Sequence, residues 1–471
     1  MRETAPLGTP GPTSLGWREE FRATFLLASP LALANLLQMA TYTVDVIFIT
    51  RLGEASLAAS QLVLGVFGLI VWSLNSLTAA VAPVIAAELG ENPNSVRPIR
   101  RAMRMALWIA VLSGLAGMAL ALLTVPIMRL TGQDEALVVL GFPYLIAVMF
   151  SLIPMVVGNV LRTYVSALGR PIFATALTLV GIVVNTVSNY ALIFGNLGAP
   201  RLELVGAGIA TIITTTSVML CYVVVIRLDP KLHRYRIFHR WWVPDWERAK
   251  EIVRIGVPIA LTVIAEAGIF SAAAFLMGRI GSAQLAGHAL ALQLAALAFQ
   301  IPFGVGQAVT IRVGYFYGAK DLTGIGRAGW VAMVMGAGFM TFTALAMIMA
   351  PGVLLSIFAD IHAPENAAMI GFAMQYLVLA AAFQLVDGIQ AVALGALRGL
   401  QDTRVPMWIA AFSYWVPGFG LAVGLGFYTP LEGIGVWIGL AAGLAFAAML
   451  LTWRWVGRER LRLTDRNSAI S

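Results

Sequence analysis

Three carboxylates stand where carboxylates are most costly. Asp45, Glu266 and Asp387 each fall inside a long apolar run, while nearly all of the other acidic residues fall between such runs. An acid at the centre of a membrane-spanning helix costs about 2.5–3.5 kcal/mol. No Lys or Arg is expected at comparable depth, so ion pairing does not account for them. Two chemistries remain: each group holds a proton, or each binds a metal cation such as sodium. Either makes them a coupling site for ion-driven transport. Asn185 and Asn189 are four apart and share a helix face. They suit an oxygen-lined cation site, and equally hydrogen bonding between helices. Gln293, Gln300 and Gln307 repeat every seven residues, which puts them on one face where they line a wet cavity. The 19 methionines and the 10% aromatic content suit a cavity for amphipathic cations, and equally packing against lipid.

The elements that must position these groups follow from composition. Of the 471 residues 59% are apolar and only 11% charged, and mean hydropathy is +0.85. A soluble fold of this length needs a charged coat of about 25%. A soluble enzyme, a disordered chain and a disulfide scaffold are therefore excluded, and Cys221 is the single cysteine. The expected fold is all-α: twelve transmembrane helices near 25–49, 57–85, 104–126, 137–160, 173–195, 205–227, 253–278, 285–310, 328–351, 368–396, 406–428 and 434–456. With twelve spans, 27 of the Lys and Arg residues fall on the side of the termini and four on the other. That bias puts both termini and the long central loop in the cytoplasm. It also explains the net charge of +8 without a nucleic-acid partner. The segment 1–20 lacks the basic start, short apolar run and cleavage site of a signal peptide.

The chain also repeats itself. Residues 30–90 align without a gap on 258–318, with 14 identities, among them Pro30/Pro258, Arg51/Arg279 and Gly53/Gly281. Gly206 and Gly208 match Gly433 and Gly435 one residue out of that offset. Two six-helix halves in one orientation are expected: 21–227 and 253–456. A basic linker, 228–252, joins them, and cytoplasmic segments 1–20 and 457–471 flank them. Parallel repeats of this kind are a transporter architecture. Two halves in one chain make a monomer sufficient. Under the repeat Glu266 corresponds to Gln38, so one position is polar in both halves and ionisable in one.

Several motifs resemble a known family. They are Ala286-Gly-His288-Ala-Leu-Ala-Leu-Gln293, Phe299-Gln-Ile-Pro302-Phe-Gly-Val-Gly306-Gln-Ala-Val-Thr310-Ile-Arg312-Val-Gly314 and Thr43-Val-Asp45. Asn185-x3-Asn189 with Asn196-Leu-Gly-Ala-Pro200 belongs with them, as do Gln384-Leu-Val-Asp387-Gly-Ile-Gln390 and Ala396-Leu-Arg398-Gly399-x2-Asp402-Thr403. Together, over about 20–456, they resemble the NorM-type MATE (multidrug and toxic compound extrusion) transporters. The resemblance implies a V-shaped bundle of two pseudo-symmetric six-helix lobes in a bacterial inner membrane. It implies export of cationic, amphipathic drugs in exchange for sodium ions or protons, with no other cofactor. Glu266 and Asp387 resemble the C-lobe cation-coupling carboxylates. Asp45, Asn185 and Asn189 resemble the N-lobe polar cluster, with Gln38 seven residues before the Asp; Gln293 and Gln300 fall with the cavity residues. Phe383 stands where sodium-coupled relatives often carry Tyr, and Ala289 where the family often has Gln. The lost hydroxyl leaves both coupling ions open.

Two other function classes fit less well. A lipid-linked oligosaccharide flippase of the same superfamily would present several cations at mid-depth. A membrane-embedded enzyme would group its catalytic residues, yet His233, His239, His288 and His362 are scattered without zinc spacing. No phosphate-binding glycine loop is present to use ATP.

Overall fold

In the computed structural model residues 16–465 are described, so the charges of Arg2 and Arg466 lie outside the described residues. Among the described residues there are eighteen α-helices and no strand. The first nine are α1 (Trp17–Thr50), α2 (Glu54–Ala79), α3 (Val81–Glu91), α4 (Val96–Ala121), α5 (Thr124–Leu130), α6 (Glu135–Met149), α7 (Leu152–Ala167), α8 (Ile172–Phe194) and α9 (Glu203–Leu228). The others are α10 (Pro230–His233), α11 (Trp246–Ile280), α12 (Ser282–Gly318), α13 (Leu322–Met349), α14 (Pro351–Leu355), α15 (Ala367–Gly399), α16 (Arg404–Ser413), α17 (Phe419–Phe427) and α18 (Gly433–Val456). Eleven single or end-to-end joined helices are long and apolar enough to cross a membrane. The twelfth crossing is the pair α6 and α7, bent by 42°. Pro154 explains the bend: it has no N–H for the Phe150 carbonyl, and its ring crowds that group. The twelve expected spans are thus present.

The chain divides into two compact units. Among the described residues one runs from Ala34 to Ala260; the other joins 16–33 with 261–465. The divisions fall inside α1 and α11. Segment 228–252 is bonded to the helices that precede it. Tyr164 donates to the Leu232 carbonyl at 2.8 Å, and Trp108 donates to the Trp241 carbonyl at 3.0 Å. Asp245 caps the start of α11 and receives the Arg101 guanidinium. These long-range bonds build the segment into the first unit.

The first turns of α1 and α11 are each held by an ion pair. In the second unit Arg312 of α12 grips Glu20 of α1 through both carboxylate oxygens, with Nε to Oε1 at 2.9 Å. In the first unit Arg248 of α11 pairs with Glu88 of α3 at 2.7 Å. Glu20 and Arg248 are 228 apart, the offset of the internal repeat, with the charges reversed.

Small residues set the helix packing of the second unit. A Cβ on Gly395 of α15 would sit 2.9 Å from the Gly306 backbone of α12, so the two helices approach to backbone contact. The Thr310 hydroxyl lies 2.8 Å from both the Gly306 and Gly395 carbonyl oxygens. Glycines 435, 439 and 443 of α18 meet Leu425, Ala422 and Gly418 in the same way. In the first unit Phe67, Val71, Tyr144, Leu145 and Leu152 form the centre of the apolar core.

Candidate functional site

Each unit contains at least one of the carboxylates singled out by sequence. In the first, α1 supplies Asp45 and α8 supplies both asparagines from one face. Asn189 Nδ2 donates to Asp45 Oδ1 at 2.6 Å, and Asn185 Nδ2 donates to the same oxygen at 2.9 Å. Asn189 also donates to Asn185 Oδ1 at 3.2 Å. The asparagines are buried, Asp45 is half-buried, and Asn189 Oδ1 has no partner. As arranged, the amide nitrogens face the carboxylate. Both amide bonds go to Oδ1 of Asp45. The sequence-based grouping of these three residues holds as a spatial cluster.

In the second unit Glu266 of α11 and Asp387 of α15 each lie four residues from one ring of a contact between the two helices. Asp387 is buried and its Oδ1 has no hydrogen-bond partner. One helical turn away, Phe270 of α11 meets Phe383 of α15 edge-to-face, ring centres 6.0 Å apart. That contact fixes the two helices in register at the level of the carboxylates. Phe383 also meets Trp437 of α18 at 5.8 Å and is buried, so its ring serves packing. Between α16 and α17 the turn Tyr414–Gly418 is π-helical. Pro417 cannot donate to the Ser413 carbonyl, and the widened turn absorbs the missing bond. The turn carries buried Tyr414, whose hydroxyl accepts from Gln390 Nε2, three residues after Asp387.

The expectation of no basic residue at depth is corrected by Arg162. Arg398 lies eleven residues after Asp387 on the same face of α15, one residue before the helix ends. Arg162 of α7 donates to Asn35 Oδ1 at 2.6 Å and to Gln38 Oε1 at 3.1 Å, both in the middle of α1. A count along the chain places Arg162 near a helix end; its long side chain reaches the middle of α1, which spacing alone does not reveal. Gln38 is therefore tied to Arg162 and is not part of the Asp45 cluster. Gln293 is exposed and Gln300 turns back to its own helix, donating to the Ala296 carbonyl at 3.1 Å. Neither joins a carboxylate cluster. Tyr414 and Gln390 escaped the sequence reading; only the proline inside an apolar run hinted at the turn.

Among the described residues no three His, Cys, Asp or Glu side chains group as a metal site. A bound sodium ion would need amide, hydroxyl and carbonyl oxygens beside one or two carboxylates. Asp45 with its two asparagines, and Glu266 with Asp387, offer such neighbours.

Comparison with known proteins agrees with this architecture. The MatE family model matches twice, over residues 30–191 and 258–423, and the two starts are one repeat offset apart. The probable multidrug resistance protein NorM of Mesorhizobium japonicum is 42% identical over 455 residues, covering 96% of this chain and 97% of the relative. The multidrug resistance protein NorM of Burkholderia vietnamiensis is 35% identical, covering 92% and 93%. Among solved structures, MATE in the straight conformation superposes with TM-score 0.84 at 21% identity, covering 95% of this chain and 97% of that one. The outward-facing conformation of a multidrug resistance MATE family transporter gives 0.82 at 21%, with the same coverage. The chain belongs to the MatE family, and it is a multi-pass membrane transporter rather than an enzyme.

Proposed function

We propose that the chain exports cationic, amphipathic compounds from the cytoplasm by alternating access, driven by entry of sodium ions or protons. It acts as a monomer in the bacterial inner membrane with both termini inside. The observation that carries this reading is the pair Glu266 and Asp387, two acids one helical turn from the Phe270–Phe383 contact between α11 and α15. Two such anions repel unless a cation or proton joins them, so their occupancy is a natural exchange currency. From the outside a driving cation neutralises the pair, or Asp45, and weakens the hold on a cationic substrate. Its loss to the cytoplasm restores the negative charge and recruits the next one. The curated relatives named NorM lead toward drug export and away from the flippase alternative.

Ethidium efflux measured with sodium and proton gradients imposed separately tests this. Efflux under one gradient identifies the driving ion. Glu266→Gln, Asp387→Asn and Asp45→Asn are expected to lose coupled efflux at normal expression. Full activity in both Glu266→Gln and Asp387→Asn would remove the second-unit coupling site. No efflux under either gradient would overturn the exporter reading.

A further inference from the structure

The internal repeat sets an acid and an amide at one equivalent position. In the second unit that position is Glu266, and in the first unit it is Gln38, to which Arg162 is bound. Arg162 thus meets two neutral amide oxygens, those of Asn35 and Gln38. Among the described residues no carboxylate forms an ion pair with Arg162. A guanidinium inside a membrane span without a counter-charge is expensive, and such residues mark binding positions for opposite charge. The group is also reachable: Arg162 is half-buried and Gln38 is exposed.

The same helix carries the opposite charge. Gln38 and Asp45 are seven residues apart and share one face of α1. The rise per residue separates them by about 10 Å along the axis. The first unit thus presents a cation and an anion on one strip, too far apart to neutralise each other.

We propose that Arg162 determines specificity by receiving the carboxylate of zwitterionic substrates, while Asp45 faces their cationic end. This rests on the exporter reading above and names a substrate class for it. The planar guanidinium suits a carboxylate, and its two present bonds hold it in orientation. A purely cationic substrate gains nothing from Arg162.

A matched pair of dyes tests the proposal in everted membrane vesicles. Rhodamine 123 is a cationic ester; rhodamine 110 is the same scaffold with a free carboxylate. Wild-type chain is expected to transport both. Arg162→Gln should reduce rhodamine 110 transport by about tenfold to a hundredfold, the factor carried by a charge-assisted hydrogen bond. Rhodamine 123 transport should stay near wild type. Arg162→Lys, which keeps the charge, should retain much of the rhodamine 110 transport. Equal losses for both dyes, an unchanged ratio, or a wild-type chain that carries rhodamine 123 but not rhodamine 110 would each overturn the proposal. Failure of wild type to carry either dye would instead refute the exporter reading and the specificity built on it.

Discussion

The ion pair Glu20–Arg312 offers a sharp test of how the second unit holds the start of α1. The side chains are 1% and 6% exposed, so both charges have left water almost completely. Two parallel bonds join them, the Thr24 hydroxyl donates to Glu20 Oε1 at 3.2 Å, and Arg312 lies over the Phe316 ring at 5.0 Å. Replacing Arg312 by Met keeps the volume but leaves the carboxylate buried without its cation. Breaking such a pair costs about 3–5 kcal/mol. For a cooperative unit of roughly half this chain, that lowers the melting temperature on the order of 5–10 °C. Glu20→Met should behave alike, because it strands the guanidinium. The double variant Glu20→Met with Arg312→Met should recover most of the loss, since apolar replacement of a whole buried pair is often neutral. Thermal unfolding of the purified protein in detergent measures all four forms. Single variants within about 1 °C of wild type, or a double variant as unstable as the two losses added, would refute the reasoning.

Two further outcomes are expected. Asp245, outside the spans, sits below the ordinary carboxylate range. Burial works against its charge, but the Arg101 hydrogen bond and the charges of Arg101 and Arg248 outweigh it. Its contribution, about 1–2 kcal/mol, is therefore full at neutral pH and lost as pH falls below about 4. The melting-temperature gap between wild type and Asp245→Asn should close over that acid range, and a gap that persists there would sink the assignment. Gly395→Ala should cost about 1–3 kcal/mol, because the added methyl meets the Gly306 backbone. Gly371→Ala on the same helix, with nothing within 4 Å, should gain up to about 1 kcal/mol from helix propensity. Equal melting temperatures for these two variants would contradict the close packing.

The sequence by itself determined the span count, the repeat and the shared face of Asn185 and Asn189; Asp45 joins them by family resemblance and in the folded structure. A membrane forces every span to be a long apolar run, so the spans are written locally. Asparagines four apart announce their shared face because helical periodicity is also local. What reaches across the chain was decided only in three dimensions. Arg162 reads as a helix-end charge, yet its side chain carries the guanidinium to acceptors at the middle of α1. Gln38, grouped by sequence with the cavity residues, is bound by Arg162. The segment 228–252 reads as a linker from its basic composition, but Tyr164, Trp108 and Arg101 bind it into the first unit. Likewise the compact units divide within α1 and α11, where the sequence shows unbroken apolar helix. Burial and periodicity are properties of a stretch of chain; the partner of a long polar side chain is a property of the packed whole.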